Sequence, residues 1–150
     1  MNSVYKANAL TYAGAMKRNI VLAGFVMLGM VAFSSAAVDQ QFQGYMKKMV
    51  ATSGQARKDV AAKDNAAVEK DAKNLQGIYK DVASYFSKHN MSDAETVAKN
   101  GETASKELAS AAKDGSTEKM EADMKTINGT CGTCHMAHRA KAADGTFEIK

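Results

Sequence analysis

The stretch at 68–86 reads VEKDAKNLQGIYKDVASYF and carries apolar side chains at intervals of three and four residues. Its apolar positions are Val68, Ala72, Leu75, Ile78, Tyr79, Val82, Tyr85 and Phe86. This spacing places them on one face of an α-helix, because a helix turns once every ~3.6 residues. No segment alternates apolar and polar residues with β-branched enrichment, so strands are not expected. The stretch therefore predicts an amphipathic helix in an all-α protein.

Three further stripes with the same spacing lie before and after this helix. They comprise Val38, Phe42, Tyr45, Met46 and Met49; then Ala94, Val97, Ala98, Gly101, Ala104, Leu108 and Ala111; and finally Met120, Met124, Ile127, Cys131, Cys134 and His135. Proline is absent and helix-favouring residues dominate the composition. Four helices joined by short loops pack most simply as an antiparallel up-down-up-down four-helix bundle.

Capping residues and chain breakers between the stripes predict where the helices begin and end. A capping box of Ser92 and Glu95 is expected to open the third helix, and the fourth is expected to run to about Ala142. The first helix is expected to loosen at Ser53-Gly54, and the second to begin at Lys63-Asp64-Asn65 and end at Lys88-His89-Asn90. The third helix is expected to end at Asp114-Gly115, and Ser116 to cap the fourth.

The amino-terminal segment at 1–37 has the composition of an export signal. Basic residues, an apolar run at 20–33 and small residues up to Ala37 follow one another in that order, which is typical of a secretory signal. The domain is therefore expected to be 38–150. The apolar run is shorter than the ~20 residues of a membrane span, so a retained anchor is the less favoured alternative. The first 14 residues fit no part of a signal, which indicates a translation start at Met16.

The charge of the chain is concentrated in this amino-terminal segment. The whole sequence has a formal net charge of +4 at pH 7, which by itself favours anionic partners. Residues 1–37 hold three of the 20 basic residues and none of the 16 acidic ones, so residues 38–150 carry a net charge of +1. Without a basic block interleaved with aromatic residues, no nucleic-acid binding is expected.

The last stripe ends in Cys131-Gly132-Thr133-Cys134-His135, the pattern for covalent attachment of a c-type haem. Two thiols at this spacing on a helical turn can reach the two vinyl groups at one edge of the porphyrin. His135 then lies beneath the iron as the proximal ligand. The motif uses both cysteines of the sequence. It predicts one covalently attached haem c near the carboxyl end of the fourth helix.

Two other interpretations of the motif remain open. A thiol-redox module would place the cysteine pair at the start of a helix beside a βαβ unit, which the sequence does not predict. A zinc site would use Cys131, Cys134, His135 and His138. Four ligands within eight residues of one helix cannot easily converge on a tetrahedral ion. Haem attachment is the favoured interpretation.

The late position of the motif, with Arg139 four residues after His135, resembles the class II c-type cytochromes, the cytochrome c-prime family. The resemblance covers essentially all of 38–150. Family members usually carry an aromatic residue just before this arginine, where the chain has His138. The resemblance implies a periplasmic protein whose partners are periplasmic or membrane-bound redox proteins, and which can form a homodimer through its first two helices.

The resemblance also implies how the first helix meets the haem. The family often shows Arg-x-x-x followed by Met or a bulky apolar residue there, and the matching stretch is Phe42-Gln43-Gly44-Tyr45-Met46, with Phe42 in place of the arginine. Phe42, Tyr45 and Arg139 are accordingly expected to contact the haem. For Arg139 the partner would be a propionate or a carboxylate near the proximal histidine, and the alternative is an ordinary surface cation.

Met46 is the candidate for the sixth iron ligand. In an antiparallel bundle, Met46 lies ~12 Å from a helix start at Val38, and His135 lies ~11 Å from a helix end at Ala142. Both side chains then fall at one level, on either side of a haem held between the first and fourth helices. Met49 one turn further on, or an open iron site, are the alternatives, and a methionine stripe also suits core packing.

The sixth ligand separates two functions. Family members with methionine at this position carry electrons, whereas those with an apolar residue keep a five-coordinate iron that binds small gases such as nitric oxide. We therefore predict an exported monohaem cytochrome that carries single electrons and is not an enzyme. Gas binding is the alternative. Minor roles are expected for the two remaining histidines: His138 is exposed or hydrogen-bonded near the haem edge, and His89 is solvated or caps a helix end.

Overall fold

The computed structural model describes residues 40–141 and 147–150. The chain divides into two units, Met1–Gln40 and Gln41–Lys150. The predicted export signal at 1–37, its cleavage after Ala37 and the start at Met16 lie outside the described residues. None of the helices in the described part of the chain is both long and apolar enough to cross a membrane.

Four helices hold most of the described residues, as the apolar stripes predict. Helix α1 occupies 40–62 of the described chain. The others are α2 (Asn65–Lys88), α3 (Ser92–Lys113) and α4 (Thr117–His138). The strands β1 (Arg139–Lys141) and β2 (Phe147–Ile149) then form a small antiparallel ribbon. The expectation of no strands is therefore wrong for these last residues.

Helix α1 continues without a break through Ser53 and Gly54, so the predicted loosening there is wrong. The Ser53 hydroxyl donates to the Val50 carbonyl oxygen at 3.3 Å, which satisfies it within its own helix. The predicted start of α2 is correct. Asp64 occupies the N-cap, and its carboxylate accepts a hydrogen bond from the Ala67 amide at 3.1 Å.

The turn between α2 and α3 ends α2 where predicted but opens α3 differently. Asn90 adopts a left-handed conformation with φ 58°, and the Met91 amide donates back to the Phe86 carbonyl oxygen at 3.0 Å. That bond places Met91 at the N-cap, so Ser92 is already the first helical residue. The predicted capping box is therefore wrong, and no side chain caps α3.

The turn between α3 and α4 follows the predicted signals. Gly115 has φ +68°, and the Ser116 amide donates to the Ala111 carbonyl oxygen at 3.0 Å. Glycine suits this position because a left-handed residue without Cβ carries little strain. Ser116 is the N-cap of α4, although its side chain makes no capping bond.

Helix α4 ends at His138, four residues before the predicted Ala142. The chain leaves the helix at Arg139 with φ −98° and ψ 125° and pairs it with Ile149 across the ribbon. The Lys150 amide also donates to the His138 carbonyl oxygen at 2.9 Å. The returning chain therefore supplies hydrogen bonds that another helical turn would have supplied.

One direct contact and one shared neighbour indicate that α1 and α4 are antiparallel neighbours. Near one end, Phe42 and His138 both pack against Phe86, with ring centroids 5.3 and 6.3 Å from it. Further along, Arg57 Nη2 donates to Asn128 Oδ1 at 2.7 Å. Residue numbers therefore rise along α1 as they fall along α4, which agrees with the predicted bundle topology.

The core lies between the helices, which contribute unequal numbers of large buried side chains to it. Its largest fully buried side chains are Phe86, Leu75, Leu108, Met120, Ile127 and Val68. Helix α3 contributes mostly small residues, which allow close approach to its neighbours. In α4 the buried residues are Met120, Met124 and Ile127, all before the cysteine motif. The motif therefore occupies a part of α4 that contributes little to the protein core.

Candidate functional site

The cysteine motif lies on the last two turns of α4. Cys131 and Cys134 are free thiols and both are partly exposed. Helical spacing places them about one turn apart on the same side, with His135 directly after the second thiol. Two accessible thiols and an imidazole thus lie together where the sequence predicts the haem attachment site.

The electrostatic environment favours the neutral forms of Cys134 and His135. Partial burial lowers the pKa of His135, and the positive charge of Arg139 lowers it further. Burial raises the pKa of the Cys134 thiol, and the nearby Cys131 and Asp93 add to that effect. A neutral imidazole can bind a metal through a ring nitrogen, whereas an imidazolium cannot. The state of His135 therefore suits a proximal ligand.

Tyr79 of α2 reaches this motif from inside the bundle. Its side chain is buried, and its hydroxyl lies 2.8 Å from Thr130 Oγ1 and 3.6 Å from Cys131 Sγ. In the sequence, Tyr79 lies on an apolar stripe, which predicts only a core position. A tyrosine at such a position signals a polar partner, because a buried phenol needs a hydrogen bond. The partner lies 52 positions away, so the sequence pattern alone does not identify it.

His138 is held between two neighbouring helices. Its Nε2 lies 3.1 Å from Asp93 Oδ2 at the start of α3, and its side chain is only 14% exposed. The hydrogen-bonded alternative for His138 therefore matches the structure better than the exposed one. His89 closes α2, with Nδ1 2.7 Å from the Tyr85 carbonyl oxygen. It has the capping role that the sequence indicates.

Three residues predicted to contact the haem are found in different surroundings. The Arg139 guanidinium lies 3.3 Å from the centroid of the Phe147 ring, an aromatic contact that the sequence did not reveal. Phe42 packs against the aromatic rings of α2. The Tyr45 hydroxyl accepts a hydrogen bond from Gln41 Nε2 at 2.9 Å. Their contacts with haem remain predictions.

The level of Met46 relative to His135 has to be measured from contacts across the bundle, since the predicted end of α4 was wrong. Phe42 and His138 share Phe86 as a neighbour. Four residues from Phe42 to Met46 correspond to ~6 Å along α1, and three residues from His138 to His135 to ~4.5 Å along α4. By this contact the two residues lie at nearly the same level.

A second contact between α1 and α4 gives a larger difference in level between Met46 and His135. Counted from the Arg57–Asn128 hydrogen bond, the levels of Met46 and His135 differ by ~6 Å, a separation that the long arginine side chain can span. Met46 is half-buried and Met49 is only 5% exposed. Met46 therefore has the accessibility expected of a residue facing an added group, whereas Met49 belongs to the core.

The residues present fit a covalently bound haem. The donor set supplies two accessible thiols and a neutral imidazole in the required order. Large apolar side chains are also unusually exposed around the motif: Met136 is 79% exposed, and Phe147 in the ribbon is 50% exposed. On α1, Val50 is 69% exposed one turn beyond Met46. A large apolar group bound at the motif would offset the exposure of those of these side chains that it contacts.

The two other interpretations of the motif fit less well. In the described chain, no group of three or more His, Cys, Asp or Glu side chains is arranged to hold a metal ion. The zinc interpretation therefore lacks a converging ligand set within 40–141 and 147–150. A thioredoxin-like pair belongs at the start of a helix, but this pair lies at the carboxyl end of α4, and the strands follow it.

No family model and no curated protein matches the sequence. Solved structures match it by fold. Cytochrome c' from Thermochromatium tepidum is 17% identical, with a TM-score of 0.56 over 66% of this chain and 92% of that chain. A cytochrome c' with an unusual ligand-controlled dimer dissociation is 17% identical, with a TM-score of 0.59 over 76% and 95%.

A nitric oxide complex of a mutant cytochrome c prime from Alcaligenes xylosoxidans is 15% identical, with a TM-score of 0.57 over 74% of this chain and 93% of that chain. Identities this low are informative about the fold alone. The chain therefore has the four-helix-bundle fold of the cytochromes c'.

Proposed function

We propose that this chain, which has the cytochrome c' fold, is a monohaem c-type cytochrome that binds one haem c through Cys131 and Cys134. The observation that carries the proposal is the order of thiol, thiol and neutral imidazole on the last turns of α4. Each thiol adds across a vinyl group, so that a C–S bond forms and the thiol hydrogen passes to the outer vinyl carbon. This addition involves no net oxidation.

His135 is the proximal ligand in this proposal. Its neutral state at neutral pH follows from partial burial and the Arg139 charge, which both lower its pKa. A bound haem would supply a one-electron Fe(II)/Fe(III) couple, and its iron could take a protein ligand at a second position besides that of His135. The function depends on which side chain of α1 faces that second position.

We infer that Met46 is the second axial ligand and that the protein carries single electrons. Support comes from the level of Met46, which lies within ~6 Å of the level of His135 by both contacts across the bundle, and from its half-buried side chain. Methionine paired with histidine raises the reduction potential of a haem and leaves no position free for gases. Such a site favours electron transfer over ligand binding.

Absorption spectra of the purified holoprotein test this ligation. We expect a low-spin ferric spectrum with the weak far-red charge-transfer band of methionine-ligated haem, and we expect Met46→Leu to abolish that band. Met124→Leu is the matched control, since Met124 is buried in α4 before the motif. Loss of the band in Met49→Leu instead would assign the ligand to Met49. A high-spin wild-type spectrum would exclude methionine ligation.

The second candidate function is binding of a small gas at a five-coordinate iron. The nitric oxide complexes among the similar structures favour it, since the fold is suited to that use in those proteins. If this candidate is correct, wild-type protein will be high-spin and Met46→Leu will leave its spectrum unchanged. Binding of nitric oxide to the wild type without displacement of a protein ligand would then confirm it.

The location and partners of the protein form part of the same proposal. The composition of 1–37 supports export to the periplasm, where we propose periplasmic or membrane-bound redox proteins as partners. Amino-terminal sequencing of the mature protein is expected to begin at Val38. A homodimer is supported by one similar structure, described as a dimer that dissociates under ligand control. Sedimentation of the holoprotein with and without gas tests that assembly.

A further inference from the structure

Tyr79 joins three helices at the first cysteine of the motif. It belongs to α2, its ring lies against Gly101 of α3, and its hydroxyl ends beside Thr130 and Cys131 of α4. The side chain is only 3% exposed. A phenol with the ordinary pKa of 10.0 is already protonated at neutral pH, and burial raises the pKa of Tyr79 further. A protonated, fixed hydroxyl is therefore available to the sulfur.

The hydrogen-bond directions around Tyr79 allow its hydroxyl to form a hydrogen bond with Cys131 Sγ. The Thr130 hydroxyl donates to the Ile127 carbonyl oxygen at 2.7 Å, so its own proton is already used. The Tyr79 hydroxyl has two oxygen acceptors, Thr130 Oγ1 at 2.8 Å and the Ile127 carbonyl oxygen at 3.3 Å. It can donate its proton to either of them while its own oxygen accepts the Cys131 thiol proton. Once the sulfur is a thioether, it has no proton, and the tyrosine hydroxyl can donate to it in place of the Thr130 and Ile127 oxygens.

Gly101 makes this reach across the bundle sterically feasible. A Cβ built on Gly101 would overlap the Tyr79 ring at Cε1, Cζ and Cδ1. The absence of a side chain therefore lets the ring lie against the α3 backbone with its hydroxyl directed to α4. Gly77 on α2 provides a contrast, because no atom lies within 4 Å of a Cβ built there.

We propose that Tyr79, seated against Gly101, is a positioning residue for Cys131: its buried hydroxyl holds the first attachment sulfur in place and hydrogen-bonds to the thioether of the mature protein. This inference rests on the proposed haem attachment. The hydroxyl contact sets where the sulfur lies relative to the buried face of α4. Cys134 has no such contact among the described residues, so the two attachment positions differ in their support.

The test uses Tyr79→Phe, which removes the hydroxyl and keeps the ring. Full-length protein is expressed with a haem-maturation system, and peptide mapping by mass spectrometry counts the thioethers at Cys131 and Cys134 separately. We expect a several-fold rise in the fraction of protein joined to haem only through Cys134. We also expect a lower reduction potential in doubly attached protein, because a hydrogen bond that withdraws electron density from the thioether sulfur is lost.

Ser105→Ala is the matched control for a general loss of stability. The Ser105 hydroxyl is fully buried and donates to the Gly101 carbonyl oxygen at 2.8 Å, without contact to either cysteine. Its removal also costs one buried hydrogen bond, and we expect normal attachment and potential. Gly101→Ala, which displaces the Tyr79 ring, is expected to reproduce the attachment defect wherever it yields folded protein.

The outcomes distinguish this inference from the function on which it rests. Wild-type protein without covalent haem would overturn the proposed function. Wild-type protein with two thioethers, together with Tyr79→Phe protein that has the same thioether count and potential, would overturn the role of Tyr79 alone. Equal defects in Tyr79→Phe and Ser105→Ala would assign the effect to stability, which also contradicts positioning.

Discussion

At the residue scale, the two helical glycines Gly101 and Gly77 lie in different surroundings. Gly101 is buried against the Tyr79 ring, whereas a side chain at Gly77 would extend into open space. Glycine within a helix costs ~0.5–1 kcal/mol relative to alanine. That cost is offset by packing at Gly101, but no contact near Gly77 offsets it.

Alanine at these two positions is therefore expected to have opposite effects. Gly101→Ala should lower the free energy of unfolding by ~1–3 kcal/mol, because the ring or the helix must move. Gly77→Ala should raise it by ~0.5–1 kcal/mol. Urea denaturation followed by circular dichroism measures both. Destabilisation by Gly77→Ala, or none by Gly101→Ala, would contradict this account of the α2–α3 contact.

At the scale of helices, α1 and α2 meet through a pair of carboxyl groups. Asp71 Oδ2 is buried and has no hydrogen-bond partner among the described residues. Burial raises the pKa of Asp71 above its ordinary value of 3.8, and the neighbouring Asp59 of α1 raises it further. A carboxyl group with a raised folded pKa favours folding in its protonated form. The contact between these helices is therefore most favourable in acid.

This stabilisation is present below pH 3.8 and is lost as the pH rises through the raised value of Asp71. Asp71→Asn keeps a neutral side chain that can donate to Asp59 at every pH. We expect it to raise the free energy of unfolding at pH 7 and to weaken the pH dependence above pH 3.8. Asp81→Asn on the exposed side of α2 serves as the control. Equal stability profiles for both variants would contradict the coupling.

At the scale of the whole molecule, the proposed haem site lies in the carboxyl-terminal half of α4, which makes fewer buried contacts than the first half. The buried residues of this helix all precede the motif. Beyond them the described chain is held by single contacts, such as His138 with Asp93 and the Lys150 amide with the His138 carbonyl oxygen. Haem attachment would add apolar contacts where the polypeptide has few. We therefore expect bound haem to stabilise this end of the bundle selectively.

Removal of the attachment thiols tests that expectation. In the Cys131→Ser, Cys134→Ser double variant, amides at 131–138 should lose protection against hydrogen exchange by roughly tenfold or more relative to holoprotein. Amides at 120–127 should change much less, because Met120, Met124 and Ile127 remain buried. Mass spectrometry of peptic fragments resolves both regions. A uniform loss across α4 would show that haem stabilises the helix as one unit.

The four helices and the motif were predictable because both are encoded locally. Helical periodicity compares residues three and four apart, so the apolar stripes identify the buried faces without knowledge of partners. The attachment motif likewise lies within five consecutive residues, Cys131 to His135. The turn at Gly115 was predictable for the same reason, since its backbone conformation depends on the residue itself.

Tertiary structure alone decided the features that depend on distant residues. Helix α4 stops at His138 because β2 offers hydrogen bonds to the chain that follows, and α3 opens at Met91 because α2 binds the Met91 amide. Tyr79 meets Cys131 across 52 positions. The sequence by itself determined the helices and the chemistry of the haem motif. Contacts between distant residues decided where α4 ends and which buried side chain lies beside Cys131 Sγ, because such contacts have no local periodicity.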